Sequence, residues 1–206
     1  PNAMVTGMIS RFRYIFITDE LLRTFTHNEL EAVFGHELGH VKHHHLHFFF
    51  FLMFYLMYMS FFFTGLSQSI GLTESYSNYL SWTLSILLLL VLFFGYLSRR
   101  FERQADLFGA KITGNPHWLI QALYHLEHLA GKVKKIPSWR HFSIADRTKF
   151  LHDIQYDPEL EKRFNRQVSS LKFAYAGSFC MLFALCIPLS MGTYHLSKSN
   201  FARSNY

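Results

Sequence analysis

Charge is missing from three long stretches of this sequence. Residues 48–73, 75–98 and 173–195 contain no Asp, Glu, Lys or Arg. Each is near or above the roughly 20 residues that a helix needs to cross about 30 Å of hydrocarbon. A chain of 206 residues has too little else to cover three such helices on all sides. That argues against a wholly soluble fold and for a transmembrane hairpin followed by a third transmembrane helix. Cysteine is also scarce. Cys180 and Cys186 both fall inside the third stretch, which excludes a disulfide framework built on soluble loops. There is no internal repeat and no low-complexity linker.

The charge that is present crowds between these stretches. The formal net charge is +6, which in another setting would suggest nucleic acid. Here the basic residues track the ends of the apolar runs. Arg99, Arg100 and Arg103 follow the second, and Lys162, Arg163, Arg166 and Lys172 precede the third. No nucleic-acid partner is expected. The loop between the first two stretches holds Glu74 and no Lys or Arg. The positive-inside rule then places residues 1–47 and 99–172 on the cytoplasmic side, with the Glu74 loop outside. Lys198 and Arg203 in the tail run against that orientation.

The segments between are mainly helical. Residues 11–17 alternate as a strand, with Phe12, Tyr14 and Phe16 on one face. A turn at Thr18-Asp19 leads into a short helix over residues 20–25. Thr26 followed by Glu29 has capping-box spacing, with Phe25 and Leu30 placed as a hydrophobic staple. A helix is predicted from His27 to about His45, with Leu30, Val33, Phe34, Leu38 and Val41 as its apolar stripe. Further helices are predicted from near Leu97 to Ile112, from His117 to Ala130, from Ile144 to Leu151 and from Pro158 to Lys172. Gly114-Asn115-Pro116 separates the first two of these, and residues 132–138 form a loop.

The chemistry concentrates at residues 36–40, His-Glu-Leu-Gly-His. Positions four apart share a helix face, so His36 and His40 can offer two imidazoles to one zinc ion. Glu37, one step round, can act as general base towards the nucleophilic water. A chance match arises in roughly one such sequence in 25, so the surrounding context has to decide. Catalytic zinc takes three protein ligands and leaves one position open. Glu102 is the best third ligand, because it follows the second hydrophobic stretch as His40 precedes the first. A hairpin would return both to one membrane face. Asp106, one turn on, can hold the second nitrogen of a ligand imidazole. The run His43-His44-His45 with His47 reads as interfacial histidines, a second metal site being the other reading. His125 and His128 read as a solvated helix face.

These motifs together resemble the Ste24/HtpX-type family of integral-membrane zinc metallopeptidases. The segments that carry the resemblance are Pro1-Asn2-Ala3-Met4 with Thr6-Gly7, the run from Leu30 through His36-Glu37-Leu38-Gly39-His40 to Val41, and Arg99 through Glu102 to Asp106. The similarity covers most of residues 1–151, and a hydrophobic hairpin separates the two metal motifs as in that family. The resemblance implies a mainly α fold with a zincin-like metallopeptidase core and a small N-terminal β element. It implies His36, His40 and Glu102 as ligands of one Zn2+ per chain, Glu37 as general base and Asp106 as the carboxylate behind a ligand. Asn2 and Ala3 match the segment that holds the substrate backbone as an added strand. Arg147 matches an arginine facing the active site, there to orient a ligand carboxylate or to stabilise the tetrahedral intermediate. His141 matches a further active-site position, with Phe142 where the family has proline.

The chain therefore divides into residues 1–47, the first part of a catalytic domain with the His-Glu-x-x-His helix; 48–98, the transmembrane hairpin; 99–172, the second part of the catalytic domain; 173–195, the third transmembrane helix; and 196–206, a tail. The expected protein is an integral membrane zinc endopeptidase of the bacterial inner membrane, with its active site on the cytoplasmic face. Its expected partners are the lipid bilayer and polypeptide substrates, chiefly membrane proteins. Quality control of misfolded membrane proteins is the first reading and processing of lipidated peptides the second. A zinc-binding scaffold or inactive relative would have no use for Glu37. A metal transporter would place ionisable residues within its membrane segments, and these segments have none.

Overall fold

Thr26 starts the helix that carries the chemistry, and it does so by a local device. Its backbone N–H donates to Glu29 Oε2 at 2.8 Å, and its hydroxyl accepts from Glu29 N–H at 3.4 Å. Two of the donors orphaned at a helix start are thus satisfied reciprocally. Phe25 belongs to a buried cluster with Leu21, Val33 and Ala122, and Leu30 packs against it, as the staple requires.

The computed structural model describes residues 2–69, 76–129 and 143–204; some side chains in its longest helices, including all beyond residue 184, lie outside that description. The described elements are β1 (Ala3–Thr6), a 3-10 turn (Ser10–Phe12), β2 (Tyr14–Ile17), α1 (Asp19–Thr24), α2 (His27–Lys42), α3 (His45–Ser69), α4 (Tyr76–Ile112), α5 (Pro116–Leu129), α6 (Ile144–Tyr156) and α7 (Pro158–Ser204). Among the described residues the fold is mainly helical with one two-stranded sheet. The chain forms two compact units, residues 1–50 with 92–168 and residues 51–91 with 169–206.

The first unit holds the sheet and most of the buried residues among those described. β1 and β2 pair antiparallel, with Ala3 opposite Ile17 and Thr6 opposite Tyr14. The strand expected over residues 11–17 is shorter, because a 3-10 turn takes residues 10–12, and its partner strand over residues 3–6 has no alternating signature of its own. Ala32, Ala110, Leu119, Ile120, Leu123 and Leu151 form one buried cluster. The stripe expected on α2 holds at Val33, which is buried, and at Leu30, which packs on the same cluster, but fails at Phe34. Phe34 is 41% exposed, while Ala32, Gly35, His36, Glu37 and Gly39 are buried. That face is buried because α4 lies against it at backbone contact. A Cβ added at Gly39 would sit 2.7 Å from Ala105 Cα, and one at Gly109 would sit 2.8 Å from Ala32 O. Small residues four apart on both helices permit this approach, and it brings residues 36 and 40 beside residues 102 and 106.

α2 also stops earlier than expected. It ends at Lys42, and His44 adopts φ of 57°, so the chain turns before α3 begins at His45. By contrast α4 and α7 are each continuous through the boundaries expected near Leu97 and Lys172.

The second unit is built from the apolar parts of α3, α4 and α7. Tyr55 meets Tyr175 with ring centroids 5.3 Å apart, and Tyr58 meets Phe183 at 5.9 Å. Large apolar side chains stay exposed here, among them Met53, Met57, Leu84, Leu87 and Leu88. Among the described residues no helix is long and apolar enough to cross a membrane. The loop near Glu74 and the loop expected over residues 132–138 lie outside the described residues. Cys180 is exposed and unpaired.

Candidate metal centre

Three side chains converge between α2 and α4. His36 Nε2 lies 3.3 Å from His40 Nε2 and 3.7 Å from Glu102 Oε2, and His40 Nε2 lies 3.6 Å from Glu102 Oε1. Among the described residues they form the one group of His, Cys, Asp and Glu side chains spaced to hold a metal ion. The spacing can be checked against a tetrahedral ion. Ligands about 2.0–2.1 Å from zinc stand about 3.3–3.4 Å apart at the corners, close to the three separations found. The donor chemistry fits as well. Asp106 Oδ1 accepts from His36 Nδ1 at 2.8 Å. With its proton on Nδ1, His36 turns a lone pair on Nε2 towards the other two groups. Two imidazole nitrogens and a carboxylate closing on one point make a donor set that suits a metal cation.

The surrounding charges are ordered by burial. Asp106 is fully buried and takes both Nε and Nη2 of Arg147. Burial alone would raise the Asp106 carboxyl, but the charge and hydrogen bonds of Arg147, with His36, hold it below the usual range. Arg147 Nη1 also lies 3.7 Å from Glu102 Oε2, so the guanidinium spans both carboxylates of α4. His36 is lowered by burial, yet Asp106 and Glu102 outweigh that and raise it overall. His40 has no such carboxylate behind it. Burial and the neighbouring His36 push it down to about 4, which keeps it neutral and fit to be a ligand.

Glu37 is held from the sheet. Its Oε2 accepts from Val5 N–H at 2.8 Å. Burial raises its carboxyl, opposed by His36 and by the Val5 hydrogen bond. The Val5 N–H therefore points away from β2, and by strand alternation Ala3 presents its N–H and C=O on that same unpaired edge. Asn2 faces the other way, since its carbonyl accepts from Thr18 N–H at 3.0 Å. Asn2, Ala3, Glu37, His40, Glu102 and Arg147 all line one open cavity of about 400 Å³.

The structure thus gathers every residue singled out from the sequence except His141, which lies outside the described residues. Two histidine readings need correction. His45 is not interfacial but fully buried, and His125 is half-buried, stacking on Phe25 at 4.6 Å and lying 3.5 Å from Glu29, while His128 is exposed as expected. The described residues bring no second metal group together around residues 43–47. Sequence reasoning missed the Val5 amide, for which no side-chain pattern exists. It also missed the close approach at Gly35, Gly39 and Gly109, although the four-residue spacing of small residues was there to be read.

Comparison with known proteins places the chain in a family. The family model described as peptidase family M48 matches residues 1–177. The chain is 29% identical over 139 residues to the "Protease HtpX homolog" of Gemmatimonas aurantiaca, covering 65% of this chain and 50% of that protein. It is 30% identical over 136 residues to the "Protease HtpX homolog" of Campylobacter curvus, covering 62% and 47%. The chain spans about half the length of these curated relatives. No solved structure matches.

Proposed function

Because the chain belongs to peptidase family M48, we propose that it is a zinc-dependent endopeptidase anchored in a membrane, with His36, His40 and Glu102 as the metal ligands. The observation that carries this is the set of three ligand-atom separations of 3.3–3.7 Å with Glu37 lining the same cavity. Zinc, when bound, supplies Lewis acidity, lowering the pKa of a water and polarising the scissile carbonyl.

The protein's own groups do the rest. A substrate segment adds to the free edge of β1, where the Ala3 N–H and C=O offer a strand's hydrogen bonds. Glu37 removes a proton from the attacking water at a carboxylate oxygen and later delivers it to the leaving amine. Its raised pKa suits both halves of that exchange. Arg147 holds Asp106 and faces Glu102, so it orients the ligand side of the site. A role for His141 near the developing oxyanion rests on the family resemblance alone.

The membrane anchor is supported by two observations. The first is the three uncharged stretches, the first of which opens at residue 48, a few residues beyond His40. The second is the row of exposed apolar side chains on α3 and α4, an arrangement suited to lipid rather than water. Charge placement favours an active site on the cytoplasmic face. Membrane proteins near that surface, misfolded ones first, are then the substrates the site would meet.

The test is cleavage of an unfolded membrane-protein substrate by the detergent-purified chain, before and after metal removal. The expected result is loss of cleavage on chelation and recovery on adding about one equivalent of zinc. Cleavage that persists in chelated, metal-free protein would overturn the proposal.

A further inference from the structure

The ligand set leaves one buried imidazole without a role. His45 opens α3 and is fully buried. Its ring stacks on Phe101, with centroids 4.2 Å apart and planes 5° from parallel. Its Nδ1 lies 3.0 Å from His40 Nδ1, and its Nε2 lies 3.1 Å from Gln104 Oε1. Gln104, also buried, donates from Nε2 to Asn165 Oδ1 at 3.1 Å.

The protons can be followed from the far end. The amide nitrogen of Gln104 donates to Asn165, so its carbonyl oxygen faces His45. A carbonyl only accepts, so His45 Nε2 carries the proton and donates. In a neutral imidazole the other nitrogen is then an acceptor, which places the proton of the next bond on His40 Nδ1. That leaves a lone pair on His40 Nε2, the atom 3.3 Å from His36 Nε2 and 3.6 Å from Glu102 Oε1.

We infer that His45, held by Gln104 and Asn165, is a positioning residue that fixes the tautomer and ring orientation of His40 for metal binding. It does for His40 what Asp106 does for His36, but through a neutral relay. The inference rests on the metal reading of the site. The turn at His44 makes it possible. In an unbroken helix, His45 would lie about 140° round from His40, out of reach of its ring. With φ of 57° at His44 the chain folds back, and His45 enters beneath His40. Groups behind a ligand imidazole are commonly worth 10- to 100-fold in metal affinity.

The test measures Zn2+ affinity by chelator competition on the detergent-purified chain. It compares wild type with His45→Phe, which keeps a flat ring against Phe101; with Gln104→Met, which removes the acceptor; and with Gln104→Glu, which keeps an acceptor oxygen. Thermal unfolding of each metal-free protein and the visible spectrum of each Co2+-loaded protein are recorded alongside. The expected result is zinc binding weakened about 10- to 100-fold in His45→Phe and in the same direction in Gln104→Met. Gln104→Glu should stay near wild type. The cobalt spectrum should change in the two weakened variants, with unfolding midpoints near wild type. If His45→Phe does not fold, Gln104→Met decides. Affinity within about twofold of wild type in the folded variants would overturn the relay while leaving the metal site standing. A wild-type chain that binds no zinc would overturn the metal reading and the relay with it.

Discussion

Glu37→Gln is expected to cut peptide cleavage by about 10²- to 10⁴-fold, the usual worth of a general base, while one zinc per chain remains bound. The substitution separates two tasks of this side chain. Glutamine cannot take the proton from water. Its carbonyl oxygen can still accept from Val5 N–H, the bond that ties β1 to α2 at 2.8 Å. The strand edge and the ligands therefore stay in place. Glu37→Ala should behave differently. It loses the Val5 bond as well, so binding of the substrate weakens along with turnover. Single-turnover cleavage and substrate affinity, measured on both variants, separate the two effects. Equal losses of affinity in Gln and Ala variants would show that the Val5 bond has no part in holding the strand.

Asp106→Ala is expected to have the largest effect on stability. Asp106 is fully buried, and its two oxygens serve both His36 and Arg147. Removing it leaves the Arg147 guanidinium largely buried, with only weaker compensation from the more distant Glu102 and Glu37. Breaking one side of such a pair costs about 3–5 kcal/mol. Metal affinity should fall as well, by about 10- to 100-fold, because His36 loses the partner that sets its tautomer. The double variant Asp106→Leu with Arg147→Met distinguishes the two losses. It removes both charges, so much of the stability should return while the metal affinity stays low. Denaturant unfolding and zinc competition on the three proteins test this. The sign with pH follows from the same pair. The Asp106 carboxyl is held below its ordinary value in the folded protein. Its contribution is therefore present above the unfolded pKa of about 4 and is lost as pH falls through the lower folded value. Metal-free wild type should show this acid limb, and the double variant should not.

The local parts of this fold were the legible ones. Thr26 and Glu29 announce a helix start because the capping bonds join residues three apart. The two metal motifs are legible because helical spacing fixes which side chains share a face. Their joining follows from a hairpin, and the close contact that brings them together depends on small residues four apart, Gly35 with Gly39 and Ala105 with Gly109, a pattern that marks close approach but not which helices meet. Phe34 looked like core and is exposed, because α2 is buried against α4 on the side of Gly35 and Gly39 instead. β1 could not be read from alternation. Four residues, Ala3–Thr6, give too short a pattern, and the feature that matters there is a backbone N–H. His45 was missed for a related reason. Its place depends on the conformation of His44 and on Gln104, 59 residues away, and neither is visible in the run of histidines.

The central claim is that two imidazoles and a carboxylate of this chain hold one zinc ion. Zinc-edge X-ray absorption on the purified protein tests it most directly. The account predicts about one zinc per chain, an imidazole signature from two histidines and only nitrogen or oxygen neighbours at about 2.0–2.1 Å. Absence of stoichiometric zinc, or a sulfur shell at about 2.3 Å, would contradict it.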